Sequence, residues 1–204
     1  MIIRKITGQP WHEFVRERIL TPLRMNDTHL VRVGDPDPRV AHGYRWINGR
    51  LTNGFPIAQS ILSYPGGGLV STVRDMARWD AALYRESPIK QTLLAQMWTP
   101  ATFNNGKPST YGFGFGIDRY RGLKRVSHNG AHATGFTSTF MRFLDERITV
   151  IVLTNQRRAN TDALATGIAG FYLPALQTPT TALTTNAPPA TNRPVLNSGT
   201  SRQL

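Results

Sequence analysis

Between residues 111 and 154 the side chains alternate between apolar and small or polar, which is the two-residue period of a β-strand. Four segments carry this alternation: 111–117, 123–128, 137–143 and 149–154. The connections between them are short, which favours antiparallel pairing of consecutive strands. This part of the chain therefore predicts one antiparallel sheet. In the first segment, glycine at every second position also invites close approach by another element.

Helical patterns precede these strands. Residues 10–20 place apolar side chains at helical spacing, and Pro22 ends the run. Residues 1–6 are apolar and compatible with a helix that Gly8 would end. No capping residue precedes Met1, so we expect the chain to begin inside a helix.

Two further helices are predicted in the middle of the chain. Thr72 and Asp75 have the spacing of a capping box, which opens a helix to about Tyr84. Ser87-Pro88 is interpreted as the N-cap and first turn of another helix, which runs to Trp98.

One more helix follows the strands. Residues 161–171 form a helical pattern that is expected to bury Leu164, Ile168 and Phe171. Helices that flank an antiparallel sheet define the α+β class, which we predict for this protein.

The remaining segments are irregular in composition. Residues 31–68 are rich in Gly, Pro, Asn and Asp, with a short strand at 44–47 and a strong turn signal at Asn48-Gly49. Residues 178–204 consist mainly of Thr, Pro, Ala and Asn, and we expect them to be a disordered tail. The predicted domain is therefore 1–177.

Composition excludes several classes of site. The chain has no cysteine, which rules out disulfides, thiol catalysis and cysteine-based zinc sites. It has no apolar run near the roughly 18 residues that a membrane span needs, and its first residues do not form a signal peptide. The net charge of +12 comes mainly from scattered arginines, with Arg157-Arg158 the only adjacent pair. This distribution favours a solvated surface over a nucleic-acid site.

Five blocks, which follow one another in order, resemble the β-lactamase-related serine hydrolases, a family that includes class C β-lactamases, D-Ala-D-Ala carboxypeptidases and esterases. The blocks are Thr7 to Thr28, Gly66 to Thr72 with Asp75 and Trp79, Tyr111 to Phe115, His128-Asn129-Gly130 with Gly135-Phe136, and Ile151 to Asn155. Arg24 stands where the family usually has glycine. The resemblance covers about residues 1–172 and implies a penicillin-binding-protein-like fold.

The resemblance implies acyl transfer by a serine nucleophile in a Ser-x-x-Lys motif, assisted by a nearby tyrosine. It also implies that His128-Asn129-Gly130-Ala131 lines the far wall of the cleft and binds the substrate. In that arrangement His128 would orient the substrate and Gly130 would keep the wall low. The backbone N–H of Ala131 would belong to the oxyanion hole.

The nucleophile motifs that should accompany this wall are not found in working context. Tyr-x-Asn does not occur, and Ser-x-x-Lys occurs only at Ser87-Pro88-Ile89-Lys90. In the family the latter motif precedes the first of the five blocks, whereas here it follows that block. We therefore assign no catalytic residue and interpret Ser87 as a helix cap.

The expected protein is thus the C-terminal part of such a hydrolase, incomplete at its N-terminus and inactive alone. Two alternatives stay open: a module that binds peptidoglycan-like peptides without cutting them, and a subunit completed in trans by a chain that bears Ser-x-x-Lys. The substrate class, whether β-lactam, peptide or ester, is not fixed by the sequence. The family is usually periplasmic or secreted.

Other ligands are not predicted. His128 and His132 are four residues apart, but no helix and no third ligand support a metal site. The glycines at 66–68 lack the Gly-Lys-Ser/Thr of a phosphate loop and are interpreted as a tight turn. We expect no cofactor.

A further expectation concerns assembly. In the family fold, N-terminal strands pair beside the last strand. Without them the edge of residues 148–154 would be exposed, and this segment is apolar, β-branched and uncharged. We therefore expect self-association through this edge.

Overall fold

The computed structural model describes residues 2–31, 37–56 and 65–177. The predicted tail at 178–204 and parts of the irregular segment at 31–68 lie outside the described residues. The helices are α1 (Ile2–Thr7), α2 (Trp11–Val15), α3 (Val73–Ala82), α4 (Gln91–Met97) and α5 (Thr161–Gly170). The strands are β1 (His29–Leu30), β2 (Tyr44–Ile47), β3 (Arg50–Asn53), β4 (Leu69–Val70), β5 (Gly116–Tyr120), β6 (Leu123–His132), β7 (Phe136–Phe143) and β8 (Ile148–Thr154). In these ranges no helix has the length and apolar character that a bilayer crossing requires.

The predicted antiparallel sheet is confirmed. β5, β6, β7 and β8 pair in that order, each antiparallel to the next. Two apolar clusters cover its two faces. Met141, Phe143 and Val150 pack against Ala165 and Ala169 of α5 on one face. On the other face, residues of β6 and β7 pack against the α3–α4 region through a cluster formed by Leu83, Leu94, Phe115, Val126 and Phe140. The α+β class is therefore confirmed.

β5, the first strand of this sheet, begins later than the alternation predicts. Residues 111–115 form a tight loop in which Gly114 adopts a φ of 78° and the Gly112 N–H donates to the Phe115 carbonyl at 2.9 Å. The strand proper starts at Gly116. A side chain at 112 would lie 2.1 Å from the Met97 carbonyl oxygen, so this glycine does permit a close approach to the end of α4.

The last helix buries the opposite set of side chains from the predicted one. Leu164, Ile168 and Phe171 are 52%, 42% and 83% exposed, whereas Ala165 and Ala169 are fully buried. The sheet already supplies the large apolar side chains in this layer. Small residues on α5 let the helix approach them closely, which places its larger residues on the outer flank.

The helix predicted over residues 10–20 is present, but its second half is a π-helix rather than an α-helix. A π-helical segment at Arg16–Leu20 continues α2 without a break. Trp11 and Leu20 are buried at the two ends. The α1 helix ends at Thr7, and Gly8 follows it with a φ of 75°, as the predicted stop at this glycine requires.

Asp75 ties α3 to the N-terminal region. The Thr72 hydroxyl accepts the Asp75 N–H at 3.2 Å, as the capping motif predicts. The Asp75 carboxylate is fully buried and accepts the Asp27 N–H at 2.9 Å and the Thr28 hydroxyl at 2.8 Å. This side chain thus joins two sequence blocks that are 47 residues apart.

The predicted turn at Asn48-Gly49 connects β2 and β3. Both residues have positive φ, 48° and 75°, as a type I′ hairpin turn requires. A side chain at Gly54 would lie 1.8 Å from the Thr134 carbonyl oxygen. The base of the β2–β3 hairpin therefore packs closely against the β6–β7 turn, at the end of β6.

Arg142 is a fully buried cation on β7. Its Nε lies 2.7 Å from Asp80 Oδ1, yet the N–H does not point at that oxygen, so the contact is an ion pair rather than a directed hydrogen bond. The guanidinium also lies over the rings of Tyr84 and Trp98, with centroid distances of 4.6 and 5.0 Å. Asp80 is therefore the one counter-charge paired with this cation among the described residues.

Replacing Asp80 with alanine leaves the Arg142 charge buried without its counter-charge, and should lower the free energy of unfolding by about 3–5 kcal/mol. Urea denaturation measures the change. The control is Glu17→Ala, which breaks the exposed Arg16–Glu17 pair and should cost less than about 1 kcal/mol. Equal effects of the two substitutions would show that the buried pair is not needed.

Candidate active-site wall

The end of β6 has one unpaired backbone edge. β5 begins at Gly116, which pairs with Ser127, so β6 residues 128–132 pair with β7 alone. On the β5 side, the described residues leave the N–H and C=O groups of this segment without a strand partner. An extended ligand can add to such an edge by main-chain hydrogen bonds.

The four residues singled out by sequence divide between the two faces of the sheet, because successive side chains on a strand point in opposite directions. His128 and Gly130 face the side of α3 and α4, as does their strand neighbour Val126. The Asn129 side chain lies on the other face, where its Oδ1 is 3.2 Å from the Thr139 hydroxyl. Asn129 and Ala131 can therefore contribute only their backbones to the same wall as His128.

His128 is exposed and has an aromatic neighbour. The ring of Tyr111 lies edge-on to it, with centroids 6.1 Å apart and planes at 67°. The tight loop at 111–115 holds this tyrosine, which forms a bridge to Gly116. Sequence reasoning quoted Tyr111 as part of a family block without placing it in the wall.

Gly130 is covered by the hydroxyl of Ser138. The two residues are directly paired across β6 and β7, and a Cβ on Gly130 would lie 2.6 Å from Ser138 Oγ. This hydroxyl makes no hydrogen bond to any other described residue. Sequence reasoning missed Ser138, although a pairing register for the two strands would have found it.

His132 closes the wall at its far end. The Thr134 N–H lies 3.2 Å from His132 Nδ1, and the Thr134 hydroxyl lies 2.7 Å from the same nitrogen. The glycine turn lies beside it, since a Cβ on Gly67 would be 3.4 Å from the His132 ring. Gly67 has a φ of 95°, as the predicted tight turn requires. Among the described residues, no group of three or more His, Asp or Glu side chains could hold a metal ion.

The predicted cap at Ser87 is wrong. Lys90 has an extended conformation, with ψ of 142°, so α4 begins at Gln91. Lys90 is the N-cap residue and makes no side-chain cap hydrogen bond, while the Glu86 carboxylate accepts the Gln91 N–H at 3.4 Å. Ser87 and Lys90 are both exposed, and their side chains are not hydrogen-bonded to each other within the described structure.

Each described carboxylate or arginine with a clearly shifted pKa belongs to an ion pair. The Arg39 hydrogen bond lowers the pKa of Asp37 from 3.8 to about 2, and Asp37 in turn raises the pKa of Arg39. The hydrogen bond from Arg125 to Asp118 raises the pKa of Arg125. None of the four belongs to the wall, so we give them a structural role.

Two curated relatives align with most of this chain. Penicillin-binding protein 4* of Bacillus subtilis (strain 168) is 29% identical over 168 residues, which cover 76% of this chain and 37% of that protein. D-aminopeptidase of Brucella ovis is 28% identical over 163 residues, which cover 79% of this chain and 30% of that protein. The chain thus spans well under half the length of these relatives.

Solved structures agree with these relatives. The penicillin-binding protein from Bacillus halodurans matches with a TM-score of 0.68 and 20% identity, over 83% of this chain and 52% of that one. The D-amino acid amidase from Ochrobactrum anthropi SV3, solved with L-phenylalanine amide, matches with a TM-score of 0.61 and 28% identity, over 76% of this chain and 46% of that one. A family model described as Beta-lactamase matches residues 1–172. The resemblance carried by the five sequence blocks is confirmed, and the chain belongs to the β-lactamase-related serine hydrolases.

Proposed function

We propose that this chain forms the substrate-binding wall of an acyl-transfer serine hydrolase whose nucleophile comes from a Ser-x-x-Lys segment not contained in residues 1–204. The unpaired edge of 128–132 is the observation that carries the proposal. A substrate backbone laid along this edge would have its reacting carbonyl beside His128. Ser87 is not hydrogen-bonded to Lys90 within the described structure, and a serine without a base in reach is not activated as a nucleophile.

The chemistry divides between the wall and the missing nucleophile. A serine Oγ adds to the substrate carbonyl, and its proton passes to the lysine and tyrosine and then to the leaving amine or alcohol. Water then hydrolyses the acyl-enzyme. The wall contributes the Ala131 N–H toward the oxyanion, a type of donor worth about 10²–10³ in rate. His128 orients the substrate, with Tyr111 limiting its motion.

D-configured amides and peptides are the proposed substrates. Two relatives at 28% identity, D-aminopeptidase and D-amino acid amidase, carry such substrates in their names. Both act on an acyl carbon bonded to nitrogen, which suits the acyl-transfer chemistry of the family.

The isolated chain should not turn over substrate. Loss of the nucleophile in another serine hydrolase costs about 10⁶ in turnover, which would bring the rate down to background. We would offer a chromogenic β-lactam, a D-amino acid anilide and a short-chain ester, and follow product absorbance. The control is Ser87→Ala. Turnover that this substitution abolishes would refute the proposal.

A second candidate function is binding without cleavage, which the free edge and the unbonded Ser138 hydroxyl favour. The test is an amide-resolved NMR titration with D-alanyl-D-alanine, in which shifts at 128–132 are expected. Because the His128 ring faces the wall, His128→Ala should weaken binding about tenfold, or about 1.4 kcal/mol.

Asn129→Ala is the matched control, since that side chain points to the opposite face. We expect its dissociation constant to change by less than about twofold. If the asparagine substitution weakens binding as much as the histidine one, the assigned face of the wall is incorrect.

At Gly130 the wall has no side chain, because this residue pairs directly with Ser138, whose hydroxyl occupies the space that a Cβ would need. Gly130→Ala would place a methyl group against the Ser138 hydroxyl and should destabilise the fold by about 1–3 kcal/mol. In a Ser138→Gly background the cost should fall below about 0.5 kcal/mol, as a double-mutant cycle of thermal unfolding would measure. Gly66→Ala is the control, because its Cβ meets open space. A cost that persists without Ser138 would disprove this contact.

A further inference from the structure

His132 presents one unbonded ring nitrogen at the far end of the wall. Its Nδ1 is engaged by the β6–β7 turn, since it lies 2.7 Å from the Thr134 hydroxyl and 3.2 Å from the Thr134 N–H. The second nitrogen, Nε2, makes no hydrogen bond to any described residue. The Cδ2 atom bonded to it lies 3.4 Å from the Cβ position of Gly67. Because residues 66 and 67 are both glycines, this turn places no side chain over the free nitrogen.

A second unbonded polar group lies on the same face of the sheet. His132 pairs with Phe136, two residues before Ser138, which makes Ser138 the diagonal neighbour of His132. Side chains in this relation lie about 7–8 Å apart. The Ser138 hydroxyl occupies the space above Gly130 where a Cβ would stand. A carboxylate can bridge such a pair, because its two oxygens and two hydrogen bonds of about 2.8 Å together cover that distance.

The segments that form this end of the wall carry no negative charge. The sequence has no Asp or Glu from residue 119 to 144, which includes β6, β7 and their turn, and none from 38 to 74, which includes the glycine turn. Asp75, the first acidic residue after that turn, is fully buried and paired with Arg78. The whole chain has a net charge of +12. An anion is therefore the ligand that this end of the wall attracts, and a cation is the one that it repels.

The part of a substrate that reaches His132 follows from the strand edge at Ala131, and here the inference rests on the proposed function. Opposed residues of an antiparallel pair exchange both of their N–H···O=C hydrogen bonds. A substrate residue whose reacting carbonyl accepts the Ala131 N–H therefore donates its own N–H to the Ala131 carbonyl. The antiparallel direction sends the leaving group toward His128. It also sets the group attached to the nitrogen of the acyl residue opposite His132, on the same face.

We propose that His132 and Ser138 form a specificity subsite for a carboxylate on the acyl side of the substrate. One carboxylate oxygen accepts from His132 Nε2 and the other accepts from the Ser138 hydroxyl. The anion favours the form of the ring in which Nε2 carries a proton. Because the subsite contacts the group attached to the nitrogen of the acyl residue, it selects N-acylated substrates with an anionic end over substrates with a free ammonium group.

Three probes that differ only at this end of the substrate test the subsite, in amide-resolved NMR titrations of the full chain. N-succinyl-D-alaninamide carries the carboxylate, N-succinamoyl-D-alaninamide carries a neutral amide of the same shape, and D-alaninamide has a free ammonium group. The succinyl probe should bind about tenfold more tightly than the succinamoyl probe, because it gains hydrogen bonds to a charged group. D-alaninamide should bind most weakly of the three.

Two substitutions at His132 separate the role of each ring nitrogen. In His132→Asn, the side-chain oxygen can take the place of Nδ1 toward Thr134, but nothing replaces Nε2. This variant should keep the turn and bind the succinyl and succinamoyl probes equally, within about twofold. His132→Gln places an amide nitrogen near the position of Nε2 and loses the contact with Thr134. It should keep part of the preference for the carboxylate.

Ser138→Ala tests the second donor without disturbing the fold, because the hydroxyl that it removes is unbonded within the described structure. It should reduce the preference for the succinyl probe about three- to fivefold. Lys124→Ala is the control for charge. Lys124 is an exposed cation on β6, eight residues or about 26 Å from His132, so its loss should leave the preference unchanged.

Equal binding of the succinyl and succinamoyl probes, with shifts at 128–132 from both, would overturn the subsite and leave the proposed wall intact. A preference that survives both His132→Asn and Ser138→Ala would overturn the subsite as well, and so would tighter binding of D-alaninamide. Absence of shifts at 128–132 with all three probes would overturn the wall and the subsite together.

Discussion

The pairing of β6 with β7 is the interaction on which the rest of the structure depends. Its register sets Gly130 against Ser138 and His128 against Phe140. A slip of one residue would turn every side chain of β6 to the other face, exchanging His128 for Asn129 in the wall. The buried residues Phe140, Met141 and Phe143 oppose such a slip, because each belongs to an apolar cluster on its own face. Core packing therefore fixes the geometry of the wall.

Elements that carry a strong local signal were predictable from the sequence. Alternation located β6, β7 and β8, the Thr72 cap located α3, and Asn48-Gly49 located the hairpin turn. The helix α5 was predicted from the sequence, but the face that it buries was predicted incorrectly. Periodicity identifies an apolar helix without saying which apolar residues meet the sheet, and here close packing selected alanine over leucine. The loop at 111–115 was predicted as part of a strand for a similar reason, because alternating glycines are compatible with both a strand and a turn.

The candidate site was predictable to the level of a segment and no further. Family blocks led to residues 128–131, yet they could not assign side chains to faces. Asn129 turns to Thr139, and Ser138 and Tyr111 enter from other strands and loops. These are contacts between residues distant in sequence. They follow from strand register and from a tight turn, neither of which a single sequence specifies.

The sheet presents two open edges that differ in composition. The edge of 128–132 carries histidines and glycine, which leave room for a polar ligand that binds reversibly. The edge of β8 carries β-branched apolar residues beside an apolar helix flank, which is the composition of a strand that is covered in a complete fold. Because neighbouring strands are about 4.8 Å apart, the two edges are separated by about 10 Å across β7. A strand added beside β8 would therefore leave the wall accessible to a substrate.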